Sequence, residues 1–334
     1  MEQVPFGSTG MRVSALGLGT MAFGGDADRA TSAAIYAKAR DAGVTFFDCA
    51  DVYAKGESER ILGKLIASHR DEVVISTKAF FPTGPGANDR GASRYHLERA
   101  VEASLDRLGT DRVDVFYVHR FDDGTPLEDT LRGVERLVAT GKVLYPAVSN
   151  FAAWQATKAL GIQARHGWAP VTAIQPMYNL VKRTAEIELF PMARAEGLAV
   201  TPYSPLGGGL LSGRYGKARR PEAGRIVDNP MYATRYGADW VYDVAERFTA
   251  LAEERGVHPV TLAVAWVARH PAVTCPLVGG RSFEQLAPAL EAARFDGMDD
   301  ALYTEIAALS PAPPPATDRN EEGSGDDYAS VLRR

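Results

Sequence analysis

Cysteine is almost missing from this chain: there are two in 334 residues, Cys49 and Cys275. Their spacing suits neither a disulfide framework nor a metal site, and a reducing cytosol is the expected compartment. No run approaches the roughly 20 apolar residues that a membrane span requires. The opening MEQVPFGSTG has neither a basic nor an apolar stretch, so it does not read as a secretory leader. Charge of one sign is also lacking. The 37 Lys and Arg and 42 Asp and Glu leave a net charge of −5 and are interspersed. No basic run offers a nucleic-acid surface. The expected partner is therefore a small molecule, with no nucleic acid, no membrane and no metal. Oligomeric state is not legible.

Hydrophobic residues make up 46% of the chain, enough for a large core. Eight β-branched runs read as strands: 14–20, 44–48, 73–78, 113–119, 143–149, 171–175, 198–202 and 274–278. Most are apolar on both faces, as expected where helices cover one side and side chains fill the other. Amphipathic segments alternate with them, clearest at 92–109, where Ser93 reads as an N-cap and Gly109 as a stop. Segments 58–69 and 125–142 follow the same logic. Alternation implies a parallel sheet. The strand count, the even intervals and the lack of a GxGxxG after the first strand favour a (β/α)8 TIM barrel over an open doubly wound sheet. PFGSTGMRVS predicts an N-terminal β-hairpin turning at Ser8-Thr9-Gly10, placed as a plug across the barrel floor. Long connections at 80–91 and 203–239, and the tail, are expected at the C-terminal face. The domain reading is one barrel over 1–310 and a Pro-rich, acidic tail over 311–334, mobile in isolation or folded over the mouth.

Asp48, Lys78 and His119 close the second, third and fourth strand runs, and Tyr53 follows Asp48 in the next loop. A barrel brings such strand ends to one mouth, where polar residues read as catalytic. A phenol titrates near ~10, and a neighbouring ammonium lowers that value. Lys78 can supply the ammonium, Asp48 can hold Lys78, and His119 can bond a substrate oxygen. Such a set protonates an oxygen that receives a hydride equivalent, which is carbonyl reduction or its reverse. Taken singly, each residue has a blander reading. Asp48 and Lys78 form a structural ion pair, Tyr53 is a loop aromatic, and His119 is a satisfied core histidine. Ser149-Asn150 is a cap for a helix starting at Phe151, and Cys49 is a buried, inert thiol.

GVTFFDCADVYAKGESERILGKLI, VVISTK and VDVFYVHRFD together resemble the aldo-keto reductase family around its catalytic Asp, Tyr, Lys and His. The resemblance continues through AVSNF, IQPMYNL and YSPLGGGLLSG to GGRSFEQL, and its branch is that of aryl-alcohol dehydrogenase-like and potassium-channel β-subunit-like members. It implies NADPH as cofactor, with NADH the alternative. Gly19, Thr20 and Met21 match the loop near the nicotinamide. Ser149, Asn150 and Gln175 match carboxamide ligands, and Tyr203 the aromatic stacked on the ring. Ser204, Leu206, Gly208 and Leu210 fall on the pyrophosphate loop, and Gly279, Arg281, Ser282 and Gln285 on the adenosine phosphate. Two departures stand out: Ala289 replaces an adenine-facing Asn, and Gly279-Gly280 replaces a Lys-Ser pair on the 2′-phosphate, which leaves Arg281 as the charge. Phe80 and Phe121 are the candidate substrate contacts. Two other functions compete. One is a nicotinamide-binding regulatory subunit with slow turnover. The other is a Schiff-base aldolase using Lys78.

Overall fold

The computed structural model describes residues 1–319; positions 320–334 of the expected tail lie outside the described residues. A hairpin of β1 (Gln3–Pro5) and β2 (Arg12–Ser14) precedes eight parallel strands. These are β3 (Gly17–Gly19), β4 (Phe46–Asp48), β5 (Val74–Ala79), β6 (Val113–Val118), β7 (Val143–Ser149), β8 (Ala173–Gln175), β9 (Ala199–Val200) and β10 (Leu277–Val278). They pair in the order β10-β3-β4-β5-β6-β7-β8-β9. The two ends of this ladder meet: Leu277 N–H donates to Pro202 O at 2.9 Å and Thr274 N–H to Val200 O at 2.9 Å. The sheet is thus a closed barrel, not an open doubly wound sheet.

The outer ring contains α1 (Arg29–Asp41), α2 (Glu57–Ile66), α3 (Arg94–Leu108), α4 (Leu127–Ala139), α5 (Ala153–His166) and α6 (Leu189–Ala195). The long connection after β9 carries two short helices, α7 (Arg225–Asp228) and α8 (Pro230–Arg235), and the chain continues with α9 (Asp239–Glu254), α10 (Pro259–Arg269), α11 (Phe283–Glu291) and α12 (Asp300–Ala307). Local chemistry sets their ends. Ser93 accepts from His96 N–H at the start of α3, and Gly109 closes that helix at φ 64°. Strands β9 and β10 are shorter than the runs predicted them because Pro202 and Pro276 flank them and have no N–H to donate. Among the described residues no helix is long and apolar enough to cross a membrane.

Two cores result from the period-two alternation of the strands. The outward residues, such as Phe47, Ile75, Phe116 and Val118, pack under the helices. The inward ones, including Phe46, Val115, Tyr117, Ala147 and Cys275, fill the barrel together with Phe6 and Val13 from the hairpin. Phe6 is completely buried, and the hairpin is tied to the barrel by Ser8 N–H to Gly197 O at 2.9 Å. The hairpin is therefore the floor plug that the sequence predicted.

Candidate active site

The same alternation that turns Phe46 inward turns Asp48 inward two residues later, at the top of the barrel. On β5 it does so for Ser76 and Lys78. Lys78 is completely buried and Asp48 nearly so. Lys78 Nζ lies 2.6 Å from Asp48 Oδ2, 2.6 Å from Cys49 O and 3.4 Å from Tyr53 OH. Asp48 Oδ1 accepts from Ser76 Oγ at 2.7 Å and from Gln175 Nε2 at 3.0 Å. The carboxylate is thus satisfied on both oxygens, which is what an ion pair in a barrel interior requires. Burial alone would pull Lys78 down, but the charge of Asp48, the Tyr53 oxygen and the hydrogen bond to Asp48 hold it above its ordinary range. A completely buried Lys78 that is paired with Asp48 and held above its ordinary range is poorly suited to form a Schiff base.

Tyr53 begins a short 3-10 turn, Tyr53–Gly56, in which Ala54 and Lys55 take left-handed φ of 46° and 55°. Its enclosure pushes the phenol up to about 12, with Lys78 pulling the other way. Sequence reasoning led with the ammonium; in the folded protein burial outweighs it. Tyr53 therefore carries its proton at neutral pH, as a proton donor must. His119 is nearly buried, and its Nδ1 has no hydrogen-bond partner. Burial and then the Lys78 charge hold it well below the usual imidazole value, so it is neutral at pH 7. The Tyr53 and His119 rings meet edge-on at 6.2 Å. All four predicted residues thus meet at one mouth.

The predicted nicotinamide residues form one hydrogen-bonded chain beside them. Ser149 Oγ donates to Gln175 O at 2.9 Å, and Asn150 Nδ2 to His119 O at 3.0 Å. Tyr203 OH donates to Asn150 Oδ1 at 2.7 Å. Thr20 is buried, its hydroxyl donating to Asp48 O at 3.0 Å, whereas Gly19 is half-buried and Met21 exposed. Backbone strain marks the same rim. Of five non-glycine residues with left-handed φ among the described residues, Ala54, Lys55, Asn150 and Ser204 follow barrel strands, and only Asp318 lies elsewhere. Asn150 does not cap a helix at Phe151, since α5 begins at Ala153.

Ser204 and Leu206 lead into the turn Gly207–Gly209. At Gly208 (φ 69°) a Cβ would stand 2.7 Å from the Tyr232 ring, so only glycine fits beneath that aromatic. Leu210 is completely buried and seats the loop in the core. Across the groove Gly279, Arg281 and Gln285 are exposed and Ser282 is half-buried, at the start of α11. Arg281 Nε lies 3.1 Å from Asp26, and Arg225 from the long 203–239 connection lies 3.9 Å from the same carboxylate. Ala289 is buried within α11 and offers no polar group.

Sequence reasoning missed Arg225, Asp26 and Ser76. The first two meet only because a long connection folds back, and Ser76 needs the strand face to be known. It set Phe81 aside with the other loop aromatics in favour of Phe80 and Phe121, yet the Phe81 ring meets His119 edge-on at 4.9 Å. Strand alternation favours Phe80, but β5 stops at Ala79 and the alternation stops with it. Phe80 and Phe121 are both half-buried; Phe80 packs against Phe81 at 5.3 Å and Phe121 against Phe151 at 5.3 Å. Cys49 is buried, and its thiol, within reach of Ser58 at 3.1 Å, is pushed up to about 12 by burial, so it is inert. Among the described residues no group of His, Cys, Asp and Glu could hold a metal ion.

Known proteins match this arrangement along nearly the whole chain. The model of the aldo/keto reductase family covers residues 15–311. The chain is 37% identical over 327 residues to the uncharacterized oxidoreductase YrpG of Bacillus subtilis, covering 94% of this chain and 97% of that one. It is 36% identical to a probable voltage-gated potassium channel subunit beta of Arabidopsis thaliana, covering 87% of this chain and 91% of the relative. It is 33% identical to the L-glyceraldehyde 3-phosphate reductase of Escherichia coli O157:H7, covering 86% of each chain. With its closed barrel, its hairpin floor and this match over most of its length, the chain belongs to the aldo/keto reductase family of oxidoreductases.

Proposed function

We propose that this protein is a cytoplasmic, NADPH-dependent reductase of aldehydes or ketones, also able to run in reverse, built as a single barrel domain over 1–310 with Tyr53 as proton donor. The observation that carries this reading is the buried Asp48–Lys78 pair with Tyr53 OH 3.4 Å from the ammonium. The dinucleotide, when bound, supplies a hydride. As charge builds on the carbonyl oxygen, Tyr53 gives it the phenolic proton, and the Lys78 ammonium stabilises the phenolate left behind. Asp48 keeps that ammonium charged and in place. Neutral His119 orients the carbonyl, and Phe80, Phe81 and Phe121 keep water from that side. Ser149, Asn150 and Gln175 hold the carboxamide, and Tyr203 backs the ring. Gly19, Thr20 and Met21 shape the floor of the nicotinamide site. Ser204, Leu206, Gly208 and Leu210 carry the pyrophosphate loop. Gly279, Arg281, Ser282 and Gln285 receive the adenosine end.

NADPH is favoured over NADH because Arg281 and Arg225 share the carboxylate of Asp26 beside the segment assigned to the adenosine end, and a pair of guanidinium groups suits a 2′-phosphate. The test is Tyr53→Phe. Turnover should fall by at least ~100-fold while NADPH affinity stays within about twofold. More than a few per cent of residual activity would sink the assignment. The similarity to a relative named as a potassium channel subunit favours one second reading, a nicotinamide-binding regulatory subunit. Fast single-turnover oxidation of bound NADPH with slow steady-state turnover would support it, and equal rates would dismiss it.

A further inference from the structure

The loop that carries Tyr53 holds a second carboxyl group that the mechanism above does not use. Asp51 is 2% exposed, yet neither of its oxygens has a hydrogen-bond partner. Its backbone is fixed, since its N–H donates to Lys78 O at 3.0 Å. Tyr53 N–H in turn donates to Ala50 O at 3.1 Å, so Asp51 sits inside the turn that sets the Tyr53 ring. The charges facing Asp51 come from three elements: Glu59 on α2, Arg107 on α3 and Lys78 on β5. Of the two neighbouring acids, Glu59 has taken the donors. It is completely buried, accepts from Thr77 Oγ1 at 2.5 Å, and pairs with Arg107 Nε at 2.7 Å. Asp51 has no side-chain donor. A buried ionised carboxylate that has no side-chain donor, only the pull of the adjoining Val52 amide, and lies near another carboxylate is costly, and the neutral acid is much less so. Burial and then Glu59 push its carboxyl up to about 7, against the pull of Arg107, the Val52 amide and Lys78.

We propose that Asp51 is a positioning residue for the Tyr53–Lys78 couple: the working form of the enzyme carries it as a neutral acid, and its ionisation places a second negative charge behind Lys78 that slows proton delivery from Tyr53. The inference rests on the reading of Tyr53 as proton donor. A negative charge facing Lys78 offsets part of the ammonium's pull on the phenol and makes the phenolate harder to form, so the cost falls on the chemical step and not on cofactor binding.

The experiment measures single-turnover oxidation of bound NADPH by excess aldehyde between pH 5.5 and 9. The wild-type rate should fall as pH rises past about 7. Asp51→Asn should lose that break and exceed the wild type by about fivefold at the alkaline end, the effect of one charge acting through an intermediate dielectric. Glu59→Gln, which removes the facing negative charge, should move the break toward acid. A break retained in Asp51→Asn, or left in place by Glu59→Gln, overturns the inference. Melting supplies a readout independent of activity. A carboxyl raised in the folded state binds its proton there over a range where the unfolded chain has lost it. Stability therefore falls as pH rises from the unfolded value to about 7 and is flat above. Asp51→Asn should thus melt higher than the wild type at pH 8, with the gap narrowing by pH 5; a gap that does not change with pH also overturns the assignment. Tyr53→Phe run beside these separates the two failures. If it stays active, the proton-donor reading falls and this one with it. If it is inactive while Asp51→Asn keeps the break, only Asp51 is misassigned.

Discussion

The two ends of the barrel are built from the same eight strands on opposite principles. At the floor, Phe6, Val13, Phe46 and Cys275 close the interior with apolar side chains, and a two-stranded hairpin lies beneath them. At the mouth, the interior ends in Asp48, Lys78, His119 and Gln175, ringed by residues in left-handed backbone conformations. The floor gains stability by removing apolar surface from water. The mouth spends some of it on a buried ion pair, an unpartnered imidazole nitrogen and a strained loop. Apolar closure and chemistry are thus assigned to different ends of one sheet, so a floor substitution should cost stability alone and a mouth substitution both stability and turnover.

The largest effect is expected at the mouth. Asp48→Asn removes the counter-charge of a completely buried ammonium. It should cost about 3–5 kcal/mol in denaturant unfolding and lower turnover by more than ~100-fold. A variant that melts like the wild type would mean that Lys78 sheds its proton at no cost, and the contrast between the two ends would fail. Phe6→Ala at the floor should cost a similar ~3–5 kcal/mol through the cavity it leaves, yet keep kcat within about twofold at temperatures where it is folded. A large kcat loss in the folded variant would show that the floor shapes the mouth.

Arg281→Ala should raise the KM for NADPH by roughly tenfold to a hundredfold and leave that for NADH nearly unchanged, as expected for one charge-assisted contact to a phosphate. Equal losses with both cofactors would place Arg281 elsewhere than on the 2′-phosphate. His119 yields the smallest and most specific test. Its pKa is well below 6.5 in the folded state, so the unfolded chain binds more protons as pH falls below that value. The stability tied to His119 is present above about 6.5 and lost progressively below it. His119→Gln should therefore melt less steeply with acid than the wild type, as followed by thermal scans at pH 5 and 7.5. Parallel curves would mean that the imidazole is not held neutral.

Much of this architecture was legible in the chain because it rests on local chemistry. The eight strand runs, the Ser93 cap, the Gly109 stop and the hairpin at Ser8-Thr9-Gly10 are read from residue patterns a few positions wide; each run holds one barrel strand, several of them shorter than the run, and the cap, stop and hairpin appear where they were expected. Asp48, Lys78 and His119 were legible for a related reason: in a parallel barrel, the inward residues at the strand ends share one mouth, and Tyr53 follows Asp48 in the next loop. What escaped was set by contacts between distant segments. Phe81 reaches His119 only because β5 ends at Ala79 and the alternation lapses. Arg225 reaches Asp26 only because a long connection folds back across the groove.

The balance of charge at the site shows the same division. The residue types and their order along the chain determined that an acid, a phenol, an ammonium and an imidazole would meet, because strand period and chain direction are local properties. Which of them would be charged was decided only by the tertiary structure. Lys78 keeps its proton against burial because Asp48 is 2.6 Å away, and Tyr53 keeps its proton because enclosure outweighs that ammonium. Asp51 has no side-chain donor, whereas the neighbouring Glu59 is bonded to Thr77 and Arg107. Desolvation and pairing depend on what surrounds a group in three dimensions, and residues 18 to 48 positions apart supply those surroundings here.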